Sequence, residues 1–472
     1  MQFNSYEFIL IFMPLLFAGY FILNRFSHTL GKVFLAFMGG CFYVYYGFSS
    51  GAVLLASLVV NYAAAALVAR GGRGKKPVLA LAVAANIALL FYFKYSNFLL
   101  SSLGSQLRLD IFLPLGISFY TFQQIAYVLS VNRRGTNEKP LDYLLYILFF
   151  PKLIMGPLAE PEELIGQFND PARKKPDAEN IACGLKLFSI GLFKKLIIAD
   201  TFAAAVSWCF NDISAATAAD TFLTMLAYTF EIYFDFSGYS DMAIGISQML
   251  NIALPMNFDS PYKALSIRDF WKRWHMSLTA FLTKNVYIPL GGSRRGKLRM
   301  YVNVMIVFIV SGLWHGANWT FVFWGLIHGL LSVVERPLEK LEARINPVVR
   351  WAYAFLSVNV LWLLFRAESL SQWLKMLIKM LRLESTAVSP GFLQCFEIQE
   401  YVALANVLPL DFVTGFMALV FYLGAFLLCL VPENACRKKQ ELRPAGMLLA
   451  AICMFFAFLH LGGESVFVYF NF

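Results

Sequence analysis

The sequence predicts an all-α protein threaded repeatedly through a lipid bilayer, and three observations predict it. Of its 472 residues 59% are hydrophobic and only 14% charged, against roughly 25% charged in ordinary globular proteins. Uncharged stretches recur along the chain, many of them about as long as the ~20 residues a helix needs to cross the hydrocarbon. Between these stretches the bases gather in short clusters, which is what orientation in a bilayer requires. A water-soluble fold could not hide that much apolar side chain, and a disordered chain would not carry it. Glycine, proline and cysteine are too sparse for a collagen-like or disulfide-knit scaffold.

The first apolar stretch, 8–24, is preceded by Glu7 and by no base, so it is not a cleavable signal. The first positive residue is Arg25, which puts the N-terminus outside and holds Arg25 and Lys32 in the cytoplasm. Residues 33–69 suffice for two passes that turn near Gly47–Gly51, and 77–93 and 111–132 follow. Further spans are expected at 181–209, 221–250, 348–366, 412–432 and 444–463, with two more in 300–334. The clusters Arg70/Arg73/Lys75/Lys76, Arg133/Arg134, Arg173/Lys174/Lys175, Arg294/Arg295/Lys297/Arg299, Arg336/Lys340 and Arg437/Lys438/Lys439 are assigned to the cytoplasm. The base-poor loops 47–51 and Asp212–Asp220 lie outside. This alternation works only if 141–165 and 262–290 enter the membrane and leave by the same side. Both are interrupted by Pro and Gly and carry charges, each costing roughly 2.5–3.5 kcal/mol near the bilayer centre. Such backbone is tolerated only where it is buried in protein or lines a cavity. The expectation is therefore about twelve spanning helices plus two re-entrant segments around an interior cavity. Residues 367–408 are the sizeable extramembrane piece, and Trp373–Arg382 alternates apolar and basic faces like a helix lying on a membrane surface. The chain reads as one membrane-embedded domain, 1–472: N-terminal helices (1–140), a core with the re-entrant segments (141–335), and C-terminal helices with an aromatic tail (336–472).

The surplus of 10 positive charges is spread over these loop clusters, so a nucleic-acid partner is not expected. Seven cysteines show no C-x-x-C pair and read as small core residues. No H-x-x-x-H, H-x-x-E-H or cysteine–histidine cluster is present, which argues against a zinc site.

Polar groups at membrane depth are costly and tend to be functional. Among five histidines, His315 stands out in the middle of the uncharged stretch 300–334, flanked by Gly312 and Gly316, where a helix break would let a ligand approach. An imidazole there suits proton abstraction from a hydroxyl near pH 7, or equally a hydrogen bond between helices. His275 lies in Phe270–Leu278 (FWKRWHMSL), which reads as an aromatic and basic interfacial anchor or as a second polar site. His328 reads as packing, and His28 and His460 as incidental. Glu231 and Asp235 share one helix face at i, i+4, with Asp241 nearby. With Lys194/Lys195 or Arg268/Lys272/Arg273 as partners they form a structural ion-pair network or take a direct part in chemistry. The Arg294–Arg299 cluster is a plain cytoplasmic anchor or an attractor for a phosphate-rich donor. In the tail Glu464–Phe472 (ESVFVYFNF), Tyr469 either docks on lipid with its neighbours or dips into a cavity and accepts an acyl group.

Taken together, Phe149–Pro157 (FFPKLIMGP), Gly191–Asp200 (GLFKKLIIAD), Phe234–Asp241 (FDFSGYSD), Met256–Pro261 (MNFDSP), Phe270–Leu278 and Leu313–Ala317 (LWHGA) resemble the membrane-bound O-acyltransferase superfamily. The resemblance runs through nearly the whole chain and is strongest to the bacterial alginate and peptidoglycan O-acetylation branch. Ile288–Arg295 (IPLGGSRR) is alginate-like, so the related teichoic-acid D-alanyl branch fits less well. The resemblance implies a helical funnel with a thinned centre, His315 as the catalytic histidine and His275 as the second polar position. Trp274, Trp314, Asn318, Arg294, Arg295 and Asp241 are then expected along the substrate path. It also implies acetyl-CoA as donor, no tightly bound cofactor, no metal, and a separate extracytoplasmic SGNH-type acetyltransferase that hands the acyl group to a polysaccharide. The tail motif Phe467–Phe472 resembles that of a small accompanying protein of the D-alanyl system, which would make Tyr469 an acyl relay. The location implied is the bacterial cytoplasmic membrane. A rival class, a transporter or flippase for a polysaccharide precursor, would show paired halves with matching broken helices, and the sequence shows no such pairing.

Overall fold

The computed structural model describes residues 1–342, 344–383, 385–398, 415–437, 441–462 and 467. Among these the secondary structure is helical throughout, with no strand. Six helices are long and apolar enough to cross a bilayer: Glu7–Phe26, Phe48–Ala69, Lys75–Ser102, Lys297–His315, Trp319–Glu342 and Pro347–Arg366. Phe416–Leu430 and Pro444–Leu459 are shorter apolar helices. The expected count of about twelve is higher because further helices are shorter or carry charges. His28–Val44 has 17 residues, Ala178–Phe193 has 16, and Ala218–Met249 has 32 but carries charges.

That 32-residue helix is the axis of the fold. A capping box starts it, with Thr217 and Asp220 each bonding the other's backbone N–H, a pattern that satisfies two otherwise orphan donors. From Thr224 to Met249 every residue is buried. It lies against Ala178–Phe193 at a seam of small residues: Gly191 faces the Gly238 carbonyl and Gly184 the Gly245 carbonyl, so that a Cβ on either side would collide with backbone. Small residues at such seams let helix backbones pack closely where water supplies no driving force. The partner helix continues through a π-helical turn, Lys194–Ala199, into Asp200–Asn211.

The π turn carries two lysines into the bundle. Lys195 Nζ lies 2.8 Å from Asp200 and 2.7 Å from Asp235, and Lys194 Nζ lies 2.7 Å from Asp241. Lys194 and Lys195 are thus the partners of Asp241 and Asp235. Arg268 and Arg273 pair elsewhere, with Glu339 and Asp269.

The two regions expected to break do so. Residues 141–165 fold as Pro140–Leu148, a kink at Phe149, the short turn Phe150–Leu153 and then Pro161–Asn169. Residues 262–290 contain Ile267–Arg273 and Met276–Leu282, separated by Trp274 and His275. Two boundaries differ from the sequence reading. The span expected at 111–132 begins only at Ile117, because Gly116 is left-handed (φ 69°), at a place where a Cβ would press on the Ile154 backbone. The first pair of passes turns at Tyr45–Gly47, slightly earlier than the glycines indicate. The surface helix forms as Leu370–Arg382, and Lys379 ties it to the Ile213 and Ser214 carbonyls at 2.7 and 2.9 Å.

Candidate active site

The long apolar stretch 300–334 folds as a helical hairpin, Lys297–His315 and Trp319–Glu342. Gly312 and Gly325 oppose each other across it, each one's missing Cβ leaving room for the other helix's backbone. The first helix ends on His315, and Gly316 continues in an extended conformation. His315 is therefore the last residue of a helix that terminates inside the protein, 3% exposed. Its ring packs among Trp314, Trp324 and Phe365, with centroids at 4.9, 5.3 and 5.1 Å.

His275 approaches from the other broken region, its ring centroid 6.4 Å from that of His315. It sits between two short helices with φ 46° and ψ 49°, a left-handed conformation unusual for a residue with a side chain. Such strain costs of order 1–3 kcal/mol and clusters at functional sites. Asn257 holds the turn: its carbonyl accepts from Met276 N–H at 2.9 Å and its side-chain oxygen from Ser277 Oγ at 2.6 Å. The His275 ring is 1% exposed, packed on Phe236 and Trp314, and neither of its nitrogens has a hydrogen-bond partner among the described residues. An imidazole buried with both nitrogens open is costly unless something else bonds it. A substrate can supply that bond.

One cavity reaches His315, and others lie close to it. One, of about 120 Å³, is lined by His315, Trp314, Lys94, Ile154 and the entry loop Leu113–Phe119. By charge alternation that loop is outside. The second, of about 270 Å³, has Arg268, Lys272 and Arg336 at its rim and Trp271, Phe308 and Ser311 among its walls. By charge alternation these bases are on the cytoplasmic side. Ser311 lies one helical turn before His315, so about 6 Å of helix separates the two chambers. A third cavity, of about 430 Å³, is lined by Lys195, Asp200, Glu231, Asp235, Asn318 and Arg366. Phe365 borders it on one side and packs on His315 on the other.

The remaining sequence-predicted residues divide. Trp314 lines the outer cavity and stacks on Phe122. Asn318 caps the second arm of the hairpin through Thr320 N–H at 3.1 Å and lines the third cavity. Trp274 turns away from the histidines into an aromatic cluster with Phe258, Phe270 and Trp362. Asp241 is held by Lys194. Arg294 and Arg295 are exposed, and the cations that line the inner pocket are Arg268, Lys272 and Arg336 instead. His328 accepts from the Trp271 indole at 3.2 Å, a packing role as expected. Tyr469 lies outside the described residues. Phe467 is fully buried on the Tyr239 ring, with Lys195 Nζ 4.6 Å from its centroid.

Sequence reasoning missed Lys94. Its ammonium donates to the Trp314 and His315 carbonyls at 2.7 and 3.0 Å and to Ser118 Oγ at 3.2 Å. The signal was a single cation just beyond the apolar stretch 77–93, which reads as an interfacial base.

The family model described as MBOAT, membrane-bound O-acyltransferase family, matches residues 138–367, the part that holds both histidines. Among curated proteins, a peptidoglycan O-acetyltransferase of Helicobacter pylori is 35% identical, over 100% of this chain and 97% of its own length. A probable alginate O-acetylase AlgI of Pseudomonas putida is 36% identical over 78% of each chain. A teichoic acid D-alanyltransferase of Bacillus subtilis is 29% identical over 50% of this chain and 63% of its own. The similarity to the first of these relatives extends from end to end of the chain. The chain belongs to the membrane-bound O-acyltransferase family and is a multi-pass membrane acyltransferase.

Proposed function

We propose that this enzyme takes an acyl group, acetyl in the first instance, from coenzyme A on the cytoplasmic side and passes it outward for O-acetylation of a cell-envelope polysaccharide. One observation carries the reading: His315 ends its helix at a cavity of about 120 Å³, and Ser311, one turn earlier on the same helix, lines a pocket that holds three cations. Arg268, Lys272 and Arg336 suit the phosphates of the donor, since guanidinium and ammonium groups bind phosphate strongly. The thioester then lies near the histidines. His315 accepts the proton of an acceptor hydroxyl while that oxygen attacks the thioester carbonyl carbon. His275, its nitrogens otherwise unbonded, donates an N–H to the developing oxyanion. The C–S bond breaks, and the proton held by His315 leaves with the thiolate as coenzyme A thiol. General-base action contributes about 10²–10⁴ in rate, and holding donor and acceptor in line supplies much of the rest.

The acetyl reading follows the relatives named for peptidoglycan and alginate O-acetylation, with D-alanyl transfer the alternative within the family. None of these relatives is named as a transporter, which leaves that reading without support. The acceptor beyond the membrane is a polysaccharide reached through a separate SGNH-type acetyltransferase, and the membrane is the bacterial cytoplasmic one. His315→Ala is expected to abolish polysaccharide acetylation at an unchanged level of protein in the membrane; retained acetylation would refute the assignment.

A relay through Tyr469 is a second reading, favoured by the burial of Phe467 beside Lys195, a residue lining the third cavity. Tyr469→Phe is expected to stop export of the acyl group while thioester turnover still depends on His315. Full export in that variant ends the relay.

A further inference from the structure

We propose that Lys94 is a positioning residue for His315: it clamps the end of the catalytic helix so that the imidazole is held at the outer cavity. The proposal rests on His315 being the base. A helix that stops inside a membrane protein leaves its last four carbonyls without intrahelical partners, and water is not there to satisfy them. Here each of the four has a donor. Gly316 N–H reaches the Gly312 carbonyl at 3.4 Å, the Tyr95 hydroxyl donates to the Leu313 carbonyl, and Lys94 Nζ takes both the Trp314 and His315 carbonyls.

Two features set this apart from an incidental contact. Lys94 and Tyr95 lie on a π-helical turn, Phe91–Tyr95, a rare geometry that is frequent at functional sites, and both reach the same helix end. The charge also has a reason. A cation is favoured at a helix C-terminus, where the partial negative charge of the carbonyls collects, and no carboxylate pairs with Lys94 among the described residues. Ser118 Oγ takes the third N–H, while the Ser118 carbonyl accepts from the Trp314 indole at 3.2 Å. With all three donors used, Lys94 has none left for substrate, and its effect passes through the position of His315. Lys94 and His315 both line the 120 Å³ cavity, so a slack helix end would move the ring within the space the acceptor must enter.

The test compares wild type, Lys94→Met and Lys94→Arg as purified full-length protein, with acetyl-CoA as donor and thiol release as readout. Methionine keeps the length of the side chain and removes its charge and donors. Misplacement of a catalytic group by about 1 Å can cost 10²-fold. The expectation is a fall in kcat of about tenfold or more in Lys94→Met, with donor KM and thermal midpoint near wild type. Lys94→Arg, able to bridge the same carbonyls, recovers a large part of kcat. A second readout needs no turnover: carbethoxylation of His315 by diethyl pyrocarbonate, followed by peptide mass spectrometry, is expected to quicken severalfold in Lys94→Met and not in Lys94→Arg. Unchanged kcat and unchanged labelling in Lys94→Met overturn the proposal, as does a loss that arginine does not relieve. A wild-type protein that releases no thiol counts against the coenzyme A reading alone, and the labelling comparison then decides on Lys94.

Discussion

At the scale of single residues the interior is governed by a few polar side chains that the surroundings cannot leave unanswered. Lys195 is the clearest structural case, 1% exposed and between Asp200 and Asp235. Removing one partner of a buried pair strands the other charge, at a cost of about 3–5 kcal/mol, whereas replacing both with apolar groups is often neutral. Lys195→Met is therefore expected to lower the thermal midpoint of the detergent-solubilised protein sharply, and the double change Lys195→Met with Asp235→Leu to restore much of it. That Glu231, Asp235 and Asp241 need cations was legible from their closeness on one helix, and Lys194/Lys195 were among the partners expected. The lysine that braces His315 was not legible. Its neighbours in space are carbonyls more than 200 positions away in the chain, and a carbonyl has no signature in sequence. Arg294 and Arg295 form the denser cluster, but it is Arg268, Lys272 and Arg336, scattered over two helices, that line the inner pocket.

At the scale of elements the site depends on helices that end where a continuous helix would have been easier to build. The hairpin of Lys297–His315 and Trp319–Glu342 brings its arms close enough at Gly312 and Gly325 for their Cα atoms to limit each other. Gly312→Val would press a branched side chain onto the Phe321 carbonyl. Overpacking of this kind costs about 1–3 kcal/mol and here would also shift the turn that carries His315. A lowered thermal midpoint together with a larger loss of transfer is expected, read by calorimetry and thiol release on the same preparation. The break itself was legible, because two glycines around a histidine in an uncharged stretch leave few alternatives. So were the interruptions at 141–165 and 262–290, from their Pro, Gly and charge content. The late start of the helix at Ile117 was not. Hydropathy runs smoothly through 111–116, and only the left-handed turn at Gly116, where a Cβ would press on the Ile154 backbone, stops the helix there.

At the scale of the whole molecule, hydropathy marks what touches lipid better than what crosses it. The six helices that stand out by length and apolarity carry exposed apolar faces, while Ala218–Met249 is enclosed by protein and tolerates Glu231, Asp235 and Asp241. The resulting bundle holds the buried His275–His315 pair, with a cation-lined pocket of about 270 Å³ near it and more polar cavities of about 120 and 430 Å³ beyond. On the proposed function, this arrangement keeps a cytoplasmic donor apart from an acceptor outside. The most direct measurement uses sealed proteoliposomes of known orientation, with radiolabelled acetyl-CoA supplied to one face at a time. Thiol release is expected only when the donor meets the face bearing Arg268, Lys272 and Arg336, and is expected to vanish in His315→Ala. Equal turnover from either face, or turnover that survives the loss of His315, would contradict the account.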